Sequence, residues 1–339
     1  MGITIVTDDK IKPMSLLATQ SFKRLERPRS APAFRLQERD VAIVRTVAKH
    51  RFLTSDQIIR SLTGISAAEL ATQLAERPWA FQQIGRRLYL LHAHHFLDRP
   101  PSQSLQLSAF AHRAYGLGRE GARLLESLGD PINAQLDWTL KNTRATSIFL
   151  LHTLETADTM LQFEAAARPG GVRLLTQHEL LPFFPEATRA SHDPFALRVT
   201  VQHKGAPLTI AVIPDRLFSI VYPDNTRQTF ALEQDRGTMD VTSKRLVGKA
   251  SFMRKLTGYY ASFRQAKHAE VWNVKAFRVL TVTTSDKRIH NLCQAQRTVT
   301  HDHANDLFLY TTSARLTEHG PFGSAWLRAD GTTTSILRA

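Results

Sequence analysis

Cysteine is nearly missing from this sequence: Cys293 is the only one in 339 residues. A single thiol excludes an intramolecular disulfide framework and any zinc site built on several cysteines. No apolar run reaches about 18 residues, the length that a membrane-spanning helix requires. Residues 1–10 also lack the charged-then-apolar order of a secretory leader. The expectation is a cytoplasmic protein with no membrane partner. Acidic residues are scarce as well, 30 against 44 Lys and Arg, for a net charge of +14 at pH 7. That imbalance favours a polyanionic partner, because each neutralised phosphate releases condensed counterions. Disorder is excluded in turn. Hydrophobic residues make up 42% of the chain, enough to close a core, and the length suits two domains better than one.

Residues 1–34 carry Pro13, Pro28 and Pro32 among Lys23, Arg24, Arg27 and Arg29, with no sustained apolar period. They read as a flexible basic arm, a disordered leader being the alternative. Residues 35–130 are patterned differently. Leu36, Val41, Ile43, Val44 and Val47 recur at helical spacing, with Glu38 and Asp40 in the first turn, where the helix dipole favours them. Thr54 and Gln57 have the spacing of a capping box that opens a second helix, with Ile58, Ile59 and Leu62 inside. A short helical stretch is expected at 67–74 and a clear helix at 79–94, with Phe81, Ile84, Leu88 and Leu91 buried. An apolar stretch at 105–110, the segment 115–117 and a closing helix from Gly118 follow. Helix, helix, helix, hairpin wing and closing helix is the order of a winged helix-turn-helix.

A helix lying in the major groove needs side chains that reach base edges and phosphates, and Arg and Gln do both. Gln82, Gln83, Arg86 and Arg87 are the groove candidates, with Arg99 and Arg113 near the wing for backbone phosphates. His92, His94 and His95 invite a metal reading, but no cysteine or matching acid accompanies them.

Residues 140–312 read as an α/β domain. A long helix is expected at 144–167, then strands at 172–175, 195–203, 208–213, 217–222 and 229–233, with Pro223, Asp224 and Asn225 turning the last pair. A helix at 242–267, a buried strand at 278–284, a helix at 287–296 and a strand at 307–311 complete it; residues 313–339 form an unassigned tail. Helix, strand meander, helix, strand is the order of the restriction-endonuclease-like fold, with a central mixed sheet. Asp215 follows a strand, and Glu233 ends a strand one hairpin later, with Asp235 on the same face by strand alternation. Pro214-Asp215 and Glu233-Gln234-Asp235 resemble the PD-(D/E)xK nuclease signature, except that Asp235 stands at the lysine position; the nearest cations are Arg236, Lys244 and Lys255. On the catalytic reading Asp215, Glu233, Asp235 and Lys255 act together, with Asp215 and Glu233 holding Mg²⁺ or Mn²⁺; no other cofactor is expected. On the alternative reading these carboxylates cap turns and pair with Arg236, leaving a core that only binds. Between Lys244 and Arg288 there are 11 Lys and Arg against Glu270 and Asp286. Lys244, Arg245 and Lys249 are therefore further phosphate-contact candidates.

Several runs in fixed order carry a resemblance to a known family. They include Arg86-Arg87-Leu88, Leu97-Asp98-Arg99, Tyr115-Gly116-Leu117-Gly118-Arg119-Glu120-Gly121, His152 with Glu155 and Asp158, Pro214-Asp215, and Lys255 with Tyr259-Tyr260. Across residues 36–292 the sequence resembles the replication-relaxation family, winged-helix proteins encoded mostly on plasmids and integrated mobile elements. It departs from the pattern by a long insertion between Leu181 and Thr200. The resemblance implies binding of double-stranded DNA in control of replication, transfer or transcription, with homodimerisation common among winged-helix proteins. Two alternatives stand beside it: a divalent-metal-dependent endonuclease or nickase, and a scaffold that recruits replication or transfer proteins.

Overall fold

The computed structural model describes residues 26–77, 79, 81–106, 113–241, 251–301, 306–323 and 326–337. The protein mixes α and β structure and divides into two compact units, Met1–Thr63 with Ala67–Leu154, and Gly64–Ser66 with Glu155–Ala339. No helix among the described residues is long and apolar enough to cross a membrane.

The first unit runs α1 (Glu38–His50), β1 (Phe52–Thr54), α2 (Ser55–Thr63), α3 (Ala67–Glu76), α4 (Gln82–Ala93) and β2 (Leu97–Asp98). A 3₁₀ turn (Pro101–Gln106), β3 (Ala114–Leu117), α5 (Arg119–Ser127), α6 (Trp138–Thr143) and the beginning of α7 (Ser147–Ala167) complete it. Local chemistry sets these boundaries. The Asp40 carboxylate accepts the Gln37 N–H at 2.8 Å to start α1. The Thr54 N–H donates to Gln57 Oε1 at 3.0 Å, while the Gln57 N–H donates to Thr54 Oγ1 at 3.2 Å; this is the reciprocal cap that the sequence spacing predicts for α2. The strands form an antiparallel sheet in the order β1-β3-β2, with Phe52 opposite Gly116 and Leu97 opposite Leu117. Val44, Val47, Phe52, Leu53, Ile58, Leu91, Leu97 and Leu117 are fully buried and fill the space between sheet and helices. Close packing explains the glycines of the run at 115–121. A Cβ on Gly118 would stand 2.3 Å from the His95 carbonyl oxygen, and one on Gly121 2.3 Å from that of Phe96. Backbone cannot yield to such a contact.

The second unit takes the rest of α7, then β4 (Arg173–Leu175), α8 (Gln177–Leu180), a 3₁₀ turn (Leu181–Phe183), α9 (Glu186–Arg189), β5 (Leu197–His203), β6 (Ala206–Val212), β7 (Arg216–Val221) and β8 (Arg227–Gln234). α10 (Phe252–Arg264), α11 (Lys267–Trp272), β9 (Phe277–Thr283), α12 (Asp286–Thr300), β10 (Phe308–Thr312), α13 (Ser313–Gly323), β11 (Trp326–Leu327) and β12 (Thr333–Thr334) follow. Among the described residues its mixed sheet has seven strands in the order β12-β11-β10-β9-β8-β7-β4. β4, β7 and β8 are antiparallel neighbours, whereas β8, β9 and β10 run parallel. Strand alternation gives the sheet two apolar faces. Leu217, Ala231, Val279 and Phe308 join Leu256 of α10 and Leu292 of α12 on one. Phe218, Phe230, Leu280 and Leu309 join Phe163 of α7 and Leu316 of α13 on the other.

Three features differ from the sequence expectation. Among the described residues β5 and β6 pair only with each other, as a separate hairpin, so the central meander is β4, β7, β8. The helix expected at 242–267 begins at Phe252 within the described residues and stops at Arg264, because Ala266 takes a left-handed turn at φ 55° before α11. The segment left unassigned in the sequence supplies α13 and two strands of the sheet, with Trp326 wholly buried.

Candidate functional site

α4 has one buried and one exposed side. Ile84, Leu88 and Leu91 face the core, while Gln82, Gln83 and Arg86 are exposed, as is Tyr89 at 40%. Arg87, one position along, does something else. Its Nε donates to Asp40 Oδ1 at 2.8 Å, its Nη2 pairs with the other oxygen and reaches the Arg35 carbonyl at 2.9 Å, and its guanidinium lies 4.9 Å over the Phe34 ring. Asp40 is fully buried, and this fork neutralises it. Arg87, which the sequence places among the groove candidates, thus ties α4 to α1.

Arg99, expected near the wing for backbone phosphates, also turns inward. It is buried at 8% exposure, with Nη2 3.4 Å from the Tyr115 hydroxyl and the guanidinium 5.3 Å from that ring's centroid. Arg113, just before β3, is exposed. The described part of the basic arm makes contacts with the rest of the first unit. Arg27 pairs with Asp98, Pro32 O lies 2.7 Å from His94 Nε2, and Phe34 stacks on His94 at 4.8 Å. Asp98 also accepts from Asn142 Nδ2 at 2.9 Å, and Arg51 donates to Asn142 Oδ1 at 2.5 Å, so a buried polar network ties Arg27, Arg51, Asp98 and Asn142 together. Its members are scattered over more than a hundred positions, and no sequence spacing announces them. Lys244, Arg245 and Lys249 lie outside the described residues.

In the second unit the β7–β8 hairpin brings the start of one strand beside the end of the other, with Arg216 opposite Leu232. That register places Asp215 against Glu233 and Gln234: the Gln234 N–H donates to Asp215 Oδ2 at 2.8 Å. α10 then delivers Lys255 and Tyr259, one helical turn apart, onto Glu233; Lys255 Nζ pairs with Oε2 and the Tyr259 hydroxyl donates to Oε1. Lys255 Nζ also stands 3.9 Å from Asp215 Oδ1. Burial pushes the Glu233 carboxyl up to about 7, with the Asp215 charge adding to the rise and Lys255 opposing it. Burial works against the Lys255 ammonium, but Glu233 and then Asp215 outweigh it and hold the proton on. Asp235 is not part of this group. Leaving the strand, it accepts Arg288 Nε at 2.7 Å, Arg288 Nη2 at 2.9 Å and Thr283 Oγ1 at 2.7 Å, and so ties the strand end to α12.

A family model described as replication-relaxation matches residues 44–276, more than half of the chain and all of the groups just described between Arg51 and Tyr259. The chain belongs to the replication-relaxation family. No curated protein and no solved structure matches it.

In this family member the oxygens of Asp215 and Glu233 are already committed to other partners. Both Glu233 oxygens are engaged, by Lys255 and Tyr259, and Asp215 accepts from the backbone and faces the same ammonium. No group of three or more His, Cys, Asp or Glu gathers as a metal cage among the described residues. As arranged, Lys255 supplies the positive charge between the Asp215 and Glu233 carboxylates, and a Mg²⁺ or Mn²⁺ ion held by this pair would have to displace that ammonium. Sequence spacing points to Asp215, Glu233 and Lys255. It misses Tyr259 as a partner; an aromatic four residues after a lysine on an amphipathic helix reads as core.

Proposed function

We propose that the first unit is a winged helix that binds duplex DNA with α4 in the major groove, and that the protein serves replication or transfer of a plasmid or other mobile element. The observation that carries this reading is the exposed Gln82, Gln83 and Arg86 face on a helix whose opposite side is core, ahead of a strand pair, β2 and β3, in the place of a wing. The net charge of +14 and the family's own description agree with it. Arg113 supplies a backbone contact beside the strand pair. The test is a salt titration of binding to duplex DNA. Arg86→Ala with Gln83→Ala should weaken affinity about tenfold and lower the slope against log salt by about one. Unchanged affinity and slope would remove α4 from the interface.

A second reading is that the second unit is a restriction-endonuclease-like core, for which its element order α7, β4, β7, β8, α10, β9 is support. The convergence of Asp215, Glu233 and Lys255 favours it, for these residues are 40 positions apart in sequence and meet at one strand end. On this reading the unit cleaves phosphodiesters. Incubating supercoiled plasmid with the protein and Mg²⁺ or Mn²⁺ decides it: nicking that disappears in Asp215→Ala sustains cleavage, and intact plasmid leaves a core that binds without cutting.

A further inference from the structure

At the opposite end of the second unit's sheet, where the parallel strands β8, β9 and β10 begin, the chain encloses a half-open cleft of about 930 Å³. Arg227 opens β8 and Glu233 nearly closes it, so at about 3.3 Å per residue the cleft lies roughly 20 Å from the carboxylate group. Its volume is at the upper end of what ligand pockets occupy. Three cations line it: Arg227, Lys275 and Arg278. The only carboxylate among its described lining residues, Asp306, is spent on Arg278 at 3.7 Å and Arg328 at 2.5 Å. Arg227 lies 4.9 Å over the Phe183 ring, a contact that orients the guanidinium without neutralising it. Lys275 is exposed on the loop between α11 and β9. An aromatic wall completes the site. Phe263 is 40% exposed and is backed by His268, whose ring lies 5.9 Å away and nearly parallel at 12°. Among the described residues Arg227 and Lys275 have no acidic partner, and such cations beside an exposed, backed aromatic ring match what a phosphate-linked base needs: charge for the phosphate and a flat apolar face for the base.

We propose that this cleft binds nucleotide units, with phosphates on Arg227 and Lys275 and a base stacked on Phe263. Either a free nucleotide or a single-stranded segment of nucleic acid offers that chemistry. The inference rests on the cleft alone and is independent of the assignment of α4.

The experiment uses the full chain and follows the anisotropy of a fluorescein-labelled oligothymidylate of six residues, with unlabelled thymidine monophosphate as competitor and a duplex as a separate probe. Arg227→Ala with Lys275→Ala should weaken the oligonucleotide about tenfold and reduce its salt slope by about 1.4, since each phosphate neutralised on a single strand contributes about 0.7. Phe263→Ala should weaken it about five- to tenfold at unchanged slope, and duplex affinity should move less than twofold in both variants. Competition by the monophosphate at concentrations similar to the oligonucleotide identifies a free-nucleotide site; competition only by oligonucleotides identifies a strand site. Binding that ignores all three substitutions overturns the proposal, as does binding lost equally in Arg86→Ala. Photocrosslinking of a 4-thiothymidine oligonucleotide supplies a readout that needs no variant. Adducts on residues 263–278 support the cleft, and adducts confined to residues 82–89 refute it.

Discussion

Removing a guanidinium from α4 should have opposite consequences at adjacent positions. Arg87→Ala strands Asp40, which has no exposure to water, with the Gln37 amide as its one remaining side-chain contact among the described residues. Breaking a buried pair from one side costs about 3 kcal/mol or more. Arg86 is exposed, and its loss should change stability by less than about 0.5 kcal/mol. Urea unfolding followed by circular dichroism checks both. Similar midpoints for the two variants would mean that the Arg87–Asp40 fork contributes nothing to the fold. In the sequence these arginines are indistinguishable, because which one turns inward is decided by Asp40, 47 positions earlier, on another helix. Asp235 shows the same limit: its alternation with Glu233 is correct as strand geometry, but the strand ends at Gln234 and Arg288 claims the carboxylate.

At the scale of elements, two glycines make a sharper contrast than any average propensity. Gly85 lies inside α4, and a methyl group added there would meet nothing within 4 Å, so Gly85→Ala should stabilise the protein by about 0.5–1 kcal/mol through the helix preference alone. Gly118 caps α5 against the backbone of His95, 2.3 Å from where a Cβ would sit, so Gly118→Ala must push α5 away from β2 and should lower the melting temperature by several degrees. Thermal melts of the two variants that shift in the same direction would refute this account of the packing. Most elements are legible in the sequence for local reasons. The Thr54–Gln57 cap, the apolar period of α1 and the turn at Pro223–Asn225 all speak through neighbouring residues. What is not legible depends on distant partners. The left-handed Ala266 that separates α10 from α11 has no glycine or proline to mark it, and β11 and β12 have two residues each, too short to show a period, held by burial of Trp326.

Across the whole molecule, the two units should respond to pH in opposite directions. In the first unit, burial, then Arg99, Arg27 and His95, lower His92 to about 2, and the ring is 2% exposed. The folded unit therefore keeps His92 neutral while the unfolded chain takes up a proton below about 6.5, so stability is intact above that value and falls as pH drops. In the second unit Glu233 is raised to about 7 from an ordinary 4.5. Its unfolded carboxyl ionises first as pH rises, so stability is intact below 4.5 and falls as pH climbs through 7. Between about pH 5 and 6.5 both effects operate, each with a slope near 1.4 kcal/mol per pH unit, and their signs differ. A single global melt would average them to little change. Hydrogen exchange resolved by unit, corrected for the intrinsic pH dependence of exchange, separates them: protection in the first unit should grow from pH 5 to 6.5 while that in the second shrinks. His92→Gln should flatten the first slope and Glu233→Gln the second, each without touching the other. Parallel slopes in both units would show that neither buried group governs the stability of its own unit.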